Sequence, residues 1–103
     1  MAPVVINNRP NHRFELSVDG QTAFLTYQLK SDAIVLIHAE VPKEMEGSGV
    51  ATKLARAGLD FAREQNLKAV PLCPFVSGYI KRHHEYLDLV PAEYVARLSA
   101  KPD

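Results

Sequence analysis

Gly47-Ser48-Gly49-Val50-Ala51-Thr52 decides how this chain is read, because it follows the most apolar stretch, Ala33 to Val41, and opens the most amphipathic one, Val50 to Gln65. The order strand, glycine turn, helix builds a place for an anion. Successive backbone N–H groups converge where the helix starts, with the positive end of the macrodipole behind them, and glycine lets a phosphate approach with no Cβ in the way. The segment predicts a phosphorylated ligand.

Working outward towards the N-terminus, Phe14, Leu16 and Val18 alternate with Arg13, Glu15 and Ser17, the period of a strand with one buried face. Asp19-Gly20 tolerates the positive φ values of a two-residue hairpin, so Thr22 to Lys30 is expected to return antiparallel. Ser31-Asp32 turns the chain into the third strand, Ala33 to Val41, whose apolar run through Ile37 predicts a central strand covered on both faces.

Towards the C-terminus, Val50, Leu54, Ala57, Gly58, Phe61 and Ala62 recur at helical spacing, with Lys53, Arg56, Asp60, Arg63 and Glu64 opposite them. Asn66 ends that helix. Leu67 to Leu72 forms a fourth strand, parallel to the third through a right-handed crossover. Pro71 cannot donate to a ladder and marks where two strands part. Val76 to Tyr86 and Pro91 to Leu98 are expected as short C-terminal helices. The expected fold is α+β: a mixed, mostly antiparallel sheet with a β-α-β core.

With 103 residues and 47% hydrophobic content, the chain is expected to be one domain, 1–103, able to bury roughly 65% of its unfolded surface. Twelve basic residues balance twelve acidic ones, so no global field attracts nucleic acid or an anionic membrane. One cysteine, Cys73, excludes an internal disulfide and a cysteine metal cluster. With no basic leader and no apolar run of membrane-spanning length, the expectation is a cytoplasmic protein.

The turn itself is open to several readings. A P-loop needs Gly-Lys followed by Ser or Thr, and Val50-Ala51 stands there instead. A dinucleotide fold wants a third glycine and a longer doubly wound sheet. Seating the pyrophosphate of coenzyme A needs only the strand, turn and helix found here; an ordinary turn serving helix packing needs no more.

Glu40-Val41-Pro42, Gly47 to Ala51, Val70-Pro71-Leu72-Cys73-Pro74-Phe75 and Tyr79-Ile80-Lys81-Arg82-His83 together resemble the short, single-domain group of the GCN5-related N-acetyltransferase (GNAT) superfamily, over roughly Phe14 to Tyr86. The resemblance implies an acetyl-CoA site. The pantetheine arm would lie between the central strand and its parallel neighbour, pairing with Ala39 to Val41, and the pyrophosphate would sit on Gly47, Ser48, Gly49, Val50, Ala51 and Thr52. Arg82, within a short basic run, either meets the 3′-phosphate end or belongs to a solvated helix face. Two residues depart from the family's pattern: Glu44 stands where a basic residue or glutamine is usual, and Glu46 where arginine is common. Asp19-Gly20 also leaves no room for the helices that larger members insert between their first two strands, so the acceptor groove is expected to be open or completed by another subunit.

Four residues are catalytic candidates under this resemblance. Cys73, at a strand end before a helix, either protonates the departing CoA thiolate, accepts the acetyl group itself, or is simply a small buried hydrophobe. Tyr79 is the other candidate acid or else a core aromatic. His38 and Glu40, two apart on the central strand and in line with Ile34 and Leu36, are candidate bases for an attacking amine, or a strand-end pair bonded to each other. Adjacent His83 and His84 point ~100° apart on a helix and make no zinc site. The expected function is acetyl transfer from acetyl-CoA to an amine, in a small molecule or a protein; the rivals are a non-catalytic CoA-binding or protein-interaction module and a thiol-based carrier using Cys73 alone.

Overall fold

Phe14 and Leu16, then Ala23, Leu25 and Tyr27, alternate with polar neighbours and turn to one face, where none is more than 3% exposed. The strands they build are β2 (Arg13–Val18) and β3 (Gln21–Leu29). Asp19 (φ +52°) and Gly20 (φ +81°) form the tight turn between them, as the sequence predicts. The computed structural model describes residues 4–99.

β3 pairs antiparallel with β4 (Ala33–Glu40), and β4 pairs parallel with β5 (Lys68–Pro71) through α1 (Val50–Glu64). α1 lies on the apolar face through Leu54, Ala55, Leu59 and Ala62. Gly58 brings the helix close: a Cβ there would stand 3.1 Å from Leu36 Cδ2 and 3.4 Å from Leu25 Cδ2. α2 (Pro74–Arg82), a 3-10 segment (His84–Leu89) and α3 (Ala92–Ser99) follow. Among the described residues no helix is long and apolar enough to cross a membrane.

The fold is α+β with a mixed, mostly antiparallel sheet, as expected, but the described residues form five strands rather than four. Ile6–Asn8 forms β1 on the edge beside β2, giving the order β1-β2-β3-β4-β5. Periodicity could not reveal three residues of which Ile6 is 63% exposed; tertiary hydrogen bonds hold them, from Asn8 Nδ2 to Glu15 Oε2 at 3.1 Å and from the Tyr27 hydroxyl to Asn7. The first inter-strand connection is therefore the 3-10 turn Arg9–Asn11, and Asp19-Gly20 is the second. The helix expected over Val76 to Tyr86 begins earlier and ends sooner, with Pro74 in its first turn and a 3-10 segment taking over at His84.

The largest departure lies inside β4. Tyr27 faces Leu36 and Thr26 faces His38, so Ile37 is an extra residue, a β-bulge. Ala33 to Leu36 are buried, whereas Ile37 is 42% exposed. Because directly opposed residues share a face, the bulge reverses the alternation: Leu36 lies on the α1 side with Tyr27, while His38 and Glu40 lie on the opposite side with Thr26 and Phe24. The expectation that His38 and Glu40 continue the line of Ile34 and Leu36 is thus corrected.

Candidate functional site

After β4 the chain crosses Val41-Pro42 into a short 3-10 turn, Lys43–Met45, and then reaches the glycines. Gly47 (φ +82°) and Gly49 (φ +83°) both take the left-handed conformation that other residues rarely adopt, and Gly49 caps α1 without any side-chain acceptor. Lys53 N–H is the first in the helix to find a partner, Gly49 O at 3.1 Å. The N–H groups of Gly47, Gly49, Val50, Ala51 and Thr52 have no acceptor among the described residues. No acidic residue occupies the first turn of α1 to satisfy them.

These groups border a cleft of approximately 370 Å³. Val41, Gly47, Gly49, Val50, Ala51 and Thr52, all singled out from sequence, line it together. So do Met45, Glu46 and Phe75, which were not among the candidate ligand residues. Phe75 was legible only as the last position of a motif; its 37% exposure, high for an aromatic, is visible only in three dimensions. Ser48 turns away: its hydroxyl and N–H both donate to Met45 O, and it lines a second cavity of about 300 Å³ with Leu16, Val18, Glu44 and Lys53. Arg82 ends α2, about 12 Å along the helix axis from Pro74.

The sheet opens beside the cleft. Pairing of β4 with β5 stops at Leu36 opposite Pro71, followed by one more bond, Cys73 N–H to Leu36 O at 2.9 Å. Among the described residues β4 runs on through Ile37, His38, Ala39 and Glu40 with no strand beside it on that edge, while the segment after β5 turns into α2. Strand separation at Pro71 is what the sequence predicts.

Cys73 is 2% exposed at the start of α2, its N–H on Leu36 O and its C=O accepting from Ser77 N–H at 3.0 Å. Tyr79 is equally buried, stacked on His83 with ring centres 4.2 Å apart. The Tyr79 hydroxyl beside Arg56 is the main reason the Arg56 guanidinium is held above its ordinary pKa. Tyr86 donates to Asp60 at 3.2 Å, and burial, followed by the Asp60 charge, pushes its hydroxyl up to about 12. Neither Cys73 nor Tyr79 lines the cleft. His38 Nε2 lies 3.6 Å from Glu40 Oε2, both side chains being mostly exposed on the sheet face away from α1. Among the described residues no cluster of three or more His, Cys, Asp or Glu side chains could hold a metal ion.

A β-α-β unit whose parallel strands part next to an uncapped, glycine-opened helix has the layout expected from the sequence motifs. A family model described as GCN5-related N-acetyl-transferase matches residues 13–89, about three quarters of the chain. The chain belongs to this family. It is also similar to the protein NATD1 of mouse, chicken and human, at 37% identity over 82 residues in each case. Those alignments cover 77% of this chain and 73–74% of each relative. Members of this GNAT family are, in general, N-acetyltransferases that draw on acetyl-CoA.

Proposed function

We propose that the chain 1–103 is a single-domain, acetyl-CoA-dependent N-acetyltransferase. The observation that carries this is the set of unpartnered N–H groups at Gly47, Gly49, Val50, Ala51 and Thr52 bordering one cleft. Exposed donors converging on a helix start favour an anion such as a diphosphate, and positive-φ glycines allow it close. Glu46 works against this, since a carboxylate in the same cleft repels a phosphate.

Acetyl-CoA, when bound, supplies an acetyl group activated as a thioester. Val41 and the unpaired edge of β4 are suited to hold its pantetheine arm, since a free strand edge offers main-chain donors and acceptors to an extended chain. The acceptor amine must lose a proton to attack, and His38 or Glu40 is the base for it. As the new C–N bond forms and the C–S bond breaks, the departing sulfur takes a proton from Cys73 or Tyr79. The acceptor approaches from the sheet face that carries His38 and Glu40.

A second reading, a CoA-binding module without catalysis, is favoured by one observation: Cys73 and Tyr79 are both packed in the core rather than on the cleft wall. Calorimetry with acetyl-CoA, then mass spectrometry of amine and protein acceptors incubated with the enzyme, separates the two. Binding with acetylated product supports the transferase, and binding alone supports the module. No heat and no thermal shift with millimolar CoA removes both.

A further inference from the structure

The sheet face away from α1 has two unlike halves. On β1 to β3 its polar side chains are bonded to one another: Arg13 and Asn8 to Glu15, and the Ser17 hydroxyl to that of Thr22 at 2.8 Å. The Arg13 guanidinium also lies over the Phe24 ring, 4.7 Å from its centre. On β4 and β5 the face is apolar. Val35 stands opposite Val70 in the parallel pair, and among the described residues neither they nor Ile37 and Leu72 pack into the core that α1 covers.

This apolar strip runs up to the point where the strands part. Leu36 is the last residue of β4 to pair with β5, opposite Pro71, and its carbonyl accepts the Cys73 N–H at 2.9 Å. Ile37 on one strand and Leu72 on the other therefore flank the opening, and Leu72 is 54% exposed. Charge is confined to the β4 end of the strip. His38 and Glu40 follow Ile37 there, both mostly exposed, whereas Ala33 to Ala39 and Ala69 to Phe75 contain no carboxylate.

An acceptor matched to this pattern has one cationic nitrogen and an apolar body. From Ile37 back to Val35, and from Leu72 back to Val70, is ~7 Å of strand, room for one aryl ring or a short alkyl chain. A polyamine would lay its further ammonium groups on that strip, where a charge loses water and gains no partner. The free edge of β4 at the opening is given to the pantetheine arm, which leaves it unable to pair with a peptide backbone.

Resting on the acetyl-CoA transferase reading, we infer that the acceptor is a small primary amine on a single apolar group. Its nitrogen sits beside His38 and Glu40, and its body covers Ile37, Leu72, Val35 and Val70. The ammonium gives one proton to His38 or Glu40, and the free nitrogen attacks the thioester carbon. The C–N bond forms, the C–S bond breaks, and the nitrogen loses its second proton as the sulfur takes one up, leaving an uncharged amide and CoA thiol.

Initial rates at saturating acetyl-CoA, with phenethylamine, spermidine, a leucine-first peptide and a lysine peptide as acceptors, test this by mass spectrometry of each product. Phenethylamine is expected to exceed the other three in kcat/KM by about tenfold, the order of burying one aryl face. Leu72→Ser and Ile37→Thr, each at the exposed rim, raise KM for phenethylamine by about 3- to 10-fold with kcat within about twofold, and so narrow its lead over spermidine. A preference for spermidine or either peptide, an unchanged KM in both variants, or a loss in kcat instead overturns the inference while acetyl transfer stands. If the coenzyme binds and no amine is acetylated, the transferase reading fails first, and this inference with it.

Discussion

The two ends of α1 are built in opposite ways. At the C-terminal end Asn66 takes the left-handed conformation (φ +57°), Leu67 N–H bonds Ala62 O at 2.8 Å, and Asn66 N–H bonds Arg63 O at 3.2 Å, so the last carbonyls are satisfied by backbone. Arg63 then clamps both Asp88 oxygens at 2.9 and 3.1 Å and reaches Glu85 O at 3.1 Å. At the N-terminal end glycine caps the helix, no side chain among the described residues accepts, and the first turn holds no acid. The same helix can be closed by local chemistry, so the open end is a feature of this sequence and not a limit of the fold. Donors left free at a helix start are where an external acceptor gains most.

The largest expected effect comes from a third helix end, the start of α2. Cys73 is closed in by backbone bonds like the far end of α1, yet its Phe75 neighbour lines the cleft. If Cys73 protonates the leaving sulfur, Cys73→Ala lowers turnover by ~10² to 10⁴ while CoA affinity changes less than about twofold. Steady-state rates beside calorimetry decide it. Unchanged turnover would make this end structural, of one kind with the C-terminus of α1.

A matched pair of substitutions attacks the comparison directly. Gly49→Ala and Asn66→Ala each place alanine at a positive φ, and each is expected to cost about 1 kcal/mol of unfolding free energy in chemical denaturation. Only Gly49→Ala should also weaken CoA, by about tenfold or more, because a methyl group enters the anion approach. Equal effects on CoA affinity at the two ends would break the distinction. One carboxylate sharpens it on a smaller scale: Glu46→Gln is expected to tighten CoA by ~3- to 10-fold. Calorimetry that finds Glu46→Gln neutral would mean that the carboxylate points to solvent.

Much of this is legible in the sequence. The glycine pair between an apolar strand and an amphipathic helix announced the open end, and Asn66 announced the closed one. Alternation in β2 and β3 and the Asp19-Gly20 turn gave the hairpin, because periodicity and turn chemistry are local properties. What escaped was non-local. β1 exists through bonds that the Tyr27 hydroxyl donates to Asn7 and that Asn8 donates to Glu15, and no short window of sequence contains both partners. The bulge at Ile37 is a register effect between β3 and β4; in a regular strand His38 and Glu40 would have followed Leu36, so reading β4 alone put them on the wrong face. Met45, Glu46 and Phe75 joined the cleft for the same reason: apolar or charged residues carry no mark of which cavity they border.

The smallest expected effect concerns acid. Arg63, through its hydrogen bond first and its charge next, holds the Asp88 carboxyl below its ordinary pKa. A depressed carboxyl stabilises the fold at pH values above its unfolded pKa, about 4, and that contribution is lost as pH falls through the lower folded value. Because both side chains are about half exposed, solvent screening limits the contribution to a few tenths of a kcal/mol. Glu15, lowered chiefly by its hydrogen bond with Arg13, adds acid dependence of the same sign and stays in place when Asp88 is changed. Asp88→Asn is therefore expected to lower Tm by about 1 to 2 °C at pH 7, to flatten only part of the stability loss between pH 5 and 3, and to leave CoA affinity untouched. Thermal melts across that range with calorimetry at pH 7 read both quantities. A CoA affinity that fell with Asp88→Asn would mean that the closed end of α1 transmits to the open one, and the two ends could no longer be treated as independent.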